Sequence, residues 1–177
     1  MQTIVFVRHG EKPDAGLGQL NCQGLNRALA LPSVIAKSFG KPDAIFAPNP
    51  SVQKNDDGKP YYYVRPLATV EPTAIRFGLP VDVSIGAFDT DAIRTALEDP
   101  IYRDKLILLA WEHKEIVSIA RAILSSHGAD PSIVPHWNGD DFDSVYVVTI
   151  SRDGDTAKAT FALTHENLDG QPTTCSP

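Results

Sequence analysis

A chain of 177 residues with 22 acidic and 16 basic side chains carries a net charge of −6 at pH 7, which excludes a general binder of nucleic-acid backbones. Its length fits one domain, and 42% hydrophobic with 21% charged residues excludes wholesale disorder or a fibrous repeat. No apolar run nears the roughly 20 residues that span a bilayer, and "MQTIVFVRHG" lacks the basic start and long apolar stretch of a signal peptide, so a cytoplasmic domain with no membrane partner is expected.

In chain order, "TIVFV" (3–7) is a β-branched and aromatic run without alternation, the pattern of a strand buried on both faces. "GLNRALALPSVIAKSFG" (24–40) has helical spacing, with Leu25, Leu29, Ile35 and Phe39 on one side, a kink expected at Pro32 and a stop at Gly40. A second strand is expected at "DAIFA" (43–47). The segment from Pro48 to Val64 is rich in Pro, Asn, Asp and Gly and ends in three tyrosines, so it reads equally as a solvated hairpin or as a lid with Lys54, Lys59 and Tyr61 to Tyr63. "RPLATVEPTAIRFG" (65–78) predicts a helix, "VDVSI" (81–85) a third strand, and "DTDAIRTALEDP" (89–100) a capped helix.

"KLILLA" (105–110) is a fourth strand, and "HKEIVSIARAILSSHG" (113–128) puts Ile116, Ile119, Ala120 and Ile123 on one stripe. "SVYVVTISRDGDTAKATFALTH" (144–165) predicts a hairpin about "RDGD". Strands alternating with helices imply an α/β three-layer αβα sandwich, with a mainly parallel central sheet and a C-terminal antiparallel hairpin. Residues 1–165 form the expected single domain, and 166–177 a polar tail that frays. Cys22 and Cys175 make neither a CxxC nor a metal-like spacing, and both read as incidental thiols.

Ligands of open α/β sheets bind beyond the carboxyl ends of the strands. There this sequence places Arg8, His9 and Gly10 after the first strand, Arg65 after the long segment that follows the second, and Glu112 with His113 after the fourth. Two guanidiniums offer planar forks of donors for phosphate oxygens. One imidazole in such a pocket serves as nucleophile toward phosphorus while a second stabilises charge on the transferring group. Gly10 would let backbone approach the phosphate without a Cβ in the way. His127, His136 and His165 make no zinc-like spacing, so no metal and no cofactor is expected.

"VRHGEK" resembles the Arg-His-Gly signature of the histidine phosphatase superfamily, the phosphoglycerate mutase-like group. "LNCQGLNRALALPSVI" is similar to that family's Leu-Thr-x-x-Gly-x-x-Gln-Ala segment, with Asn21 at the threonine position, Gly24 kept and Arg27 at the glutamine position. "RPLATVEPTAIRFGLPV" resembles its Arg-Ala-x-x-Thr-Ala segment, and "LILLAWEHKEI" its strand followed by the second histidine. The resemblance implies that Arg8, His9, Arg65 and His113 bind phosphate and that His9 becomes phosphohistidine. In length the chain resembles the small phosphohistidine phosphatases.

Three departures bear on mechanism. The acid phosphatase branch has an aspartate directly after the second histidine, where this chain has Lys114. The mutase-like branch uses a carboxylate between the second arginine and the second histidine, which makes Asp89 and Asp91 candidates here, although Asp-Thr-Asp before "AIRTAL" is also an ordinary helix cap. Glu112 is the third candidate, equally suited to fixing the tautomer of His113 or accepting a proton, whereas Glu11 reads as a positioning group. The short stretch between the third and fourth strands leaves no room for a helical insertion over a sugar acid.

The implied function is a metal-independent phosphoric monoester hydrolase acting on phosphomonoesters or phosphohistidine-type groups, its partner a small phosphorylated substrate or a phosphoprotein. The alternatives are a non-catalytic binder of phospho-ligands and, more remotely, a mutase-type phosphotransferase. Oligomeric state is not encoded in any motif.

Overall fold

The computed structural model describes residues 1–177. The apolar run at the chain start forms β1 (Gln2–Arg8), and it can be apolar throughout because it occupies the centre of a five-stranded sheet. On one side it pairs in parallel with β5 (Leu106–Trp111), which pairs in parallel with β2 (Ala44–Phe46). On the other it pairs antiparallel with β6 (Ser144–Asp153), which turns back into β7 (Thr156–His165). The order is therefore β2-β5-β1-β6-β7, with the expected terminal hairpin on a parallel core. Phe6 lies opposite Leu109 on one neighbour and Tyr146 on the other, and this register brings the ends of β1 and β5 level at Arg8 and Trp111.

Alternate residues of the strands feed two cores. Ile4, Phe6, Ile107, Leu109 and Trp111 pack with α3 (Thr90–Leu97) and α4 (His113–Ser126). Val5, Val7, Ile45, Leu108 and Ala110 pack with α1 (Cys22–Ser38) and α2 (Arg65–Phe77). The result is three layers, as expected. No helix is long and apolar enough to cross a membrane.

Several local expectations are corrected. "VDVSI" is not a strand and contributes only an isolated bridge between Phe46 and Asp82. Asp82 Oδ1 accepts from Ser84 N–H and its hydroxyl at 2.9 and 2.6 Å, and this local turn competes with a ladder to β2. In α1, Leu25 and Leu29 are exposed, while Arg27, Ala28, Leu31 and Ile35 point inward. The helix runs through Pro32 to Ser38. Its inward face is set by a close packing of Gly24 on the chain after β1, which an apolar-periodicity count does not see.

The segment 48–64 holds a small hairpin, β3 (Lys54–Asp56) and β4 (Lys59–Tyr61). Its turn residues Asp57 and Gly58 have φ of 50° and 77°, the left-handed pair of a type I′ turn. Tyr63 is fully buried and Tyr62 is exposed.

The cysteines are not incidental thiols: Cys22 and Cys175 form a disulfide with Cα atoms 4.8 Å apart, across a sequence separation of 153 that no spacing rule detects. The end of the chain is docked beside it. Asn26 Nδ2 donates to the carbonyls of Pro172 and Thr174 at 2.8 and 3.0 Å, and Leu168 packs against the α1–α2 core.

Candidate active site

Strand β1 ends by delivering His9, β5 by delivering Glu112 and His113, and the hairpin leads directly into Arg65 at the start of α2. These side chains and Arg8 meet around one cavity of about 340 Å³. The four residues expected to hold phosphate are thus brought together.

His9 is only 2% exposed. Its Nδ1 stands 2.8 Å from the carbonyl of Gly10, which accepts and so fixes the proton on Nδ1. Nε2 is left with a lone pair, and Arg65 Nε–H donates to it over a long 3.4 Å. Burial, then the nearby Arg65 and Arg8 guanidiniums, hold the imidazole pKa well below its ordinary value. The ring is neutral, with its free nitrogen among cations.

Gly10 N–H donates to Thr69 Oγ1 at 2.9 Å, and that hydroxyl donates to the Arg65 carbonyl at 2.7 Å, tying the end of β1 to the start of α2. The reason for glycine here differs from the expected approach to phosphate. A Cβ on Gly10 would stand 2.9 Å from the Gly24 carbonyl oxygen, and one on Gly24 would stand 2.2 Å from the carbonyl of Glu11. The two glycines let the first turn of α1 sit directly on the residues that follow His9.

Arg65 is fully buried, and its fork is held by Asp56: Nη1 donates to Oδ2 at 2.7 Å and Nη2 to Oδ1 at 2.9 Å. Asp56 also accepts from Gly18 N–H at 2.9 Å. Burial alone would raise its pKa, but the bonds from Arg65 and Gly18 outweigh it and hold Asp56 at about 2. Sequence reasoning did not single out Asp56. The "DG" turn signalled a hairpin, but which of its side chains faces the cavity depends on register.

Arg8 is fixed by the loop before β6. Its Nη1 donates to the carbonyls of Gly139 and Asp141 at 2.9 and 2.7 Å, and the ring of Phe142 lies 3.9 Å from its central carbon. Burial lowers its pKa to about 10, which leaves it charged at neutral pH.

Glu112 caps α4, accepting from Glu115 N–H at 3.0 Å, while its Oε1 lies 2.6 Å from His113 Nδ1. Burial pushes Glu112 up, but the close approach of His113 and the bond from Glu115 N–H more than offset it and bring it to about 2. An ionised Glu112 is placed to orient His113 and holds no proton to give at neutral pH. Asp89 is not brought to the cavity: it caps α3, accepting from Ala92 N–H at 3.1 Å. Asp91 lies in the same first turn. The helix-cap reading of this stretch is what the geometry bears out.

Behind the site lies a charge cluster that sequence reasoning only touched. Arg27, fully buried, pairs with Glu11 and Glu166 at 2.7 Å each, with Asp169 at 2.8 Å and with Asp143 at 3.0 Å. Four acidic side chains share one guanidinium. Burial, together with the neighbouring Asp143 and Glu11, raises Glu166 to about 8 despite its bond to Arg27. Glu11 follows Gly10 directly, so the cluster braces the residues after His9 from below.

No protein-family model matches this sequence, and no curated protein does. Solved structures do. The chain is similar to a mycobacterial glucosyl-3-phosphoglycerate phosphatase, at 15% identity over 92% of this chain and 98% of that one, with a TM-score of 0.61. It is similar to a phosphoserine phosphatase of Entamoeba histolytica, solved as a histidine-to-alanine mutant with phosphoserine, at 12% identity, 96% and 98% coverage and a TM-score of 0.58. It also resembles a protein from Nakamurella multipartitia described as a candidate phosphohistidine phosphatase, at 15% identity, 93% and 95% coverage and a TM-score of 0.62. At these identities the likeness is one of fold.

Proposed function

From a chain with the fold of the histidine phosphatase superfamily, we propose a metal-independent phosphatase that works through a phosphohistidine on His9. The observation that carries this reading is the His9 imidazole, held neutral with Nδ1–H on Gly10 and Nε2 free beside Arg65. A phosphoryl group seated between Arg8 and Arg65 meets that lone pair.

Nε2 attacks phosphorus, the bond to the leaving group breaks, and the leaving group departs with its electron pair. Arg8, Arg65 and His113 stabilise the charge on the non-bridging oxygens, which is the role otherwise filled by a metal ion. Water then attacks the phosphohistidine, the P–N bond breaks, and inorganic phosphate leaves with His9 restored. Glu112 orients His113 through Nδ1. Asp56 and Glu112, both held at about 2, supply no proton to the departing oxygen near neutral pH. Good leaving groups, as in acyl phosphates, phosphohistidine and aryl phosphates, are therefore the favoured substrates, since general acid catalysis contributes roughly 10²–10⁴-fold.

The test is turnover of p-nitrophenyl phosphate in excess EDTA by the wild type and His9→Ala, with acid quenching to trap acid-labile phosphate on the protein. Turnover that falls to background in the variant is the expected result. Undiminished activity in His9→Ala, or activity only after metal is added, overturns the mechanism. Phosphate binding without turnover of any ester identifies a phospho-ligand binder instead.

A further inference from the structure

We propose that β7 pairs with β7 of a second copy of this chain, joining two sheets into one across a two-fold axis at Thr160. This stands apart from the phosphatase reading above.

The two edges of the sheet are finished differently. β2 is three residues long, and its outer edge is closed by the chain that follows α2: Asp82 N–H donates to the Ile45 carbonyl at 2.9 Å, and Ala47 N–H to the Asp82 carbonyl at 3.0 Å. β7 is the other edge, and its ten residues pair with β6 alone in one unbroken register. The two-residue turn Gly154–Asp155 makes Asp153 and Thr156 a hydrogen-bonded pair, so every second residue from Thr156 to Thr164 bonds to β6. The backbone N–H and C=O groups of Ala157, Ala159, Phe161 and Leu163 therefore point away from the sheet. Edge strands are ordinarily protected by shortness, proline, bulges or several charges, whereas "TAKATFALTH" has no proline and a single lysine, Lys158, as its only Lys, Arg, Asp or Glu.

A second copy fits this edge in a defined register. A two-fold axis perpendicular to the sheet keeps each face on its own side and reverses the strand, which is the isologous arrangement of a symmetric dimer. Centred on Thr160, it sets Phe161 against Ala159 and Leu163 against Ala157 on the α4 face, and Lys158 against Ala162 and Thr156 against Thr164 on the other. Large meets small on the apolar face, and Leu163, 47% exposed in the single chain, is covered. Like charges do not meet: Lys158 faces Ala162, and just past the strand ends Asp155 faces His165. The hydrogen-bonded pairs of this register are those of Ala157, Ala159, Phe161 and Leu163, whose backbone groups are free. A centre at Phe161 instead sets two phenyl rings directly opposite one another, and a centre at Ala159 sets Leu163 against the turn at Asp155. Because the axis reverses the strands, the two cavities lie at opposite ends of the joined sheet.

Light scattering on a sizing column and sedimentation equilibrium, each over a dilution series, test the pairing. The expected result is a mass of two chains that falls to one on dilution. Thr160 is exposed, and on the axis it forms the closest side-chain pair, so Thr160→Asp and Thr160→Lys should each lose the two-chain species when measured alone. Mixing those two variants should restore it. Leu163→Lys, on the other face, should lose it as well. Melting curves of the diluted wild type and variants should coincide, which shows that each single chain still folds.

A wild type that is a single chain at every concentration leaves the edge to a strand from another protein and overturns the proposal. So does a two-chain species that survives both Thr160→Asp and Leu163→Lys. A mixture of Thr160→Asp and Thr160→Lys that stays single-chain overturns the register centred on Thr160.

Discussion

Breaking the bond between Cys22 and Cys175 should lower stability chiefly by releasing the unfolded chain. The cross-link closes a loop with a sequence separation of 153, for which the loop-closure entropy amounts to about 5 kcal/mol at 25 °C. The docked tail has other ties, from Asn26 to the carbonyls of Pro172 and Thr174 and from Arg27 to Asp169, so its folded position does not depend on the cross-link alone. For a chain of this size each kcal/mol moves Tm by about 2–4 °C, giving an expected drop of roughly 10–20 °C as an upper bound. Scanning calorimetry of the oxidised protein against a Cys22→Ser, Cys175→Ser double variant measures it, with a thiol titration confirming that the oxidised sample has no free thiol. Melting temperatures within ~2 °C of one another, with the bond shown to be present, would refute the loop-closure reasoning. Cytosolic thiol buffers would keep such a pair reduced, so the compartment decides which of the two stabilities operates.

Asp56→Asn should lower kcat more than it raises KM, because Arg65 loses the carboxylate that aligns its fork with His9; a displacement of order 1 Å costs about 10²-fold. An unchanged kcat on p-nitrophenyl phosphate would assign Asp56 a purely structural part. The pH dependence of stability follows from Glu166, whose folded pKa is raised to about 8 from an ordinary value of 4.5. Between those values the folded protein keeps a proton that the unfolded chain releases, so stability falls as pH rises through the window. Asp56 and Glu112, held at about 2, have the opposite sign and act only on the acid side. His9, held well below its ordinary value, has the opposite sign below about pH 7, where the unfolded chain takes up a proton that the folded protein does not. Urea midpoints compared from about pH 7 to about pH 8 should therefore decline in the wild type and flatten in Glu166→Gln; parallel curves would contradict the assignment.

The parts of the fold that show in sequence are those whose neighbours are set by local pattern. β1 and β5 are unbroken apolar runs because the sheet buries both of their faces, and the final hairpin carries its own turn signal. Arg8, His9, Arg65 and His113 were legible because they sit at strand ends or at the first residue of a helix, where the topology brings side chains to one rim. What was not legible depends on long-range contacts. The inward face of α1 is fixed by Gly24 against the chain after His9, Asp56 reaches Arg65 only through hairpin register, and Cys22 meets Cys175 only once both ends of the domain are in place. Asp89 looked like an acid because its stretch lies between the two half-sites, yet its carboxylate is taken up by the backbone of its own helix.

The cluster around Arg27 has a consequence for how the chain is made. Arg27 and Glu11 leave the ribosome early, but Asp143, Glu166 and Asp169 come from the last stretch of the sequence, as does the β6 strand that pairs with β1. Until those residues are synthesised, a guanidinium destined for complete burial has only Glu11 to pair with, and the first strand lacks one of its two neighbours. His9 precedes all of these residues in the chain, yet its surroundings are complete only once Asp169 has been made. A chain cut before Asp143 therefore lacks both the later partners of Arg27 and the β6 neighbour of β1, however much of its remaining sheet has formed.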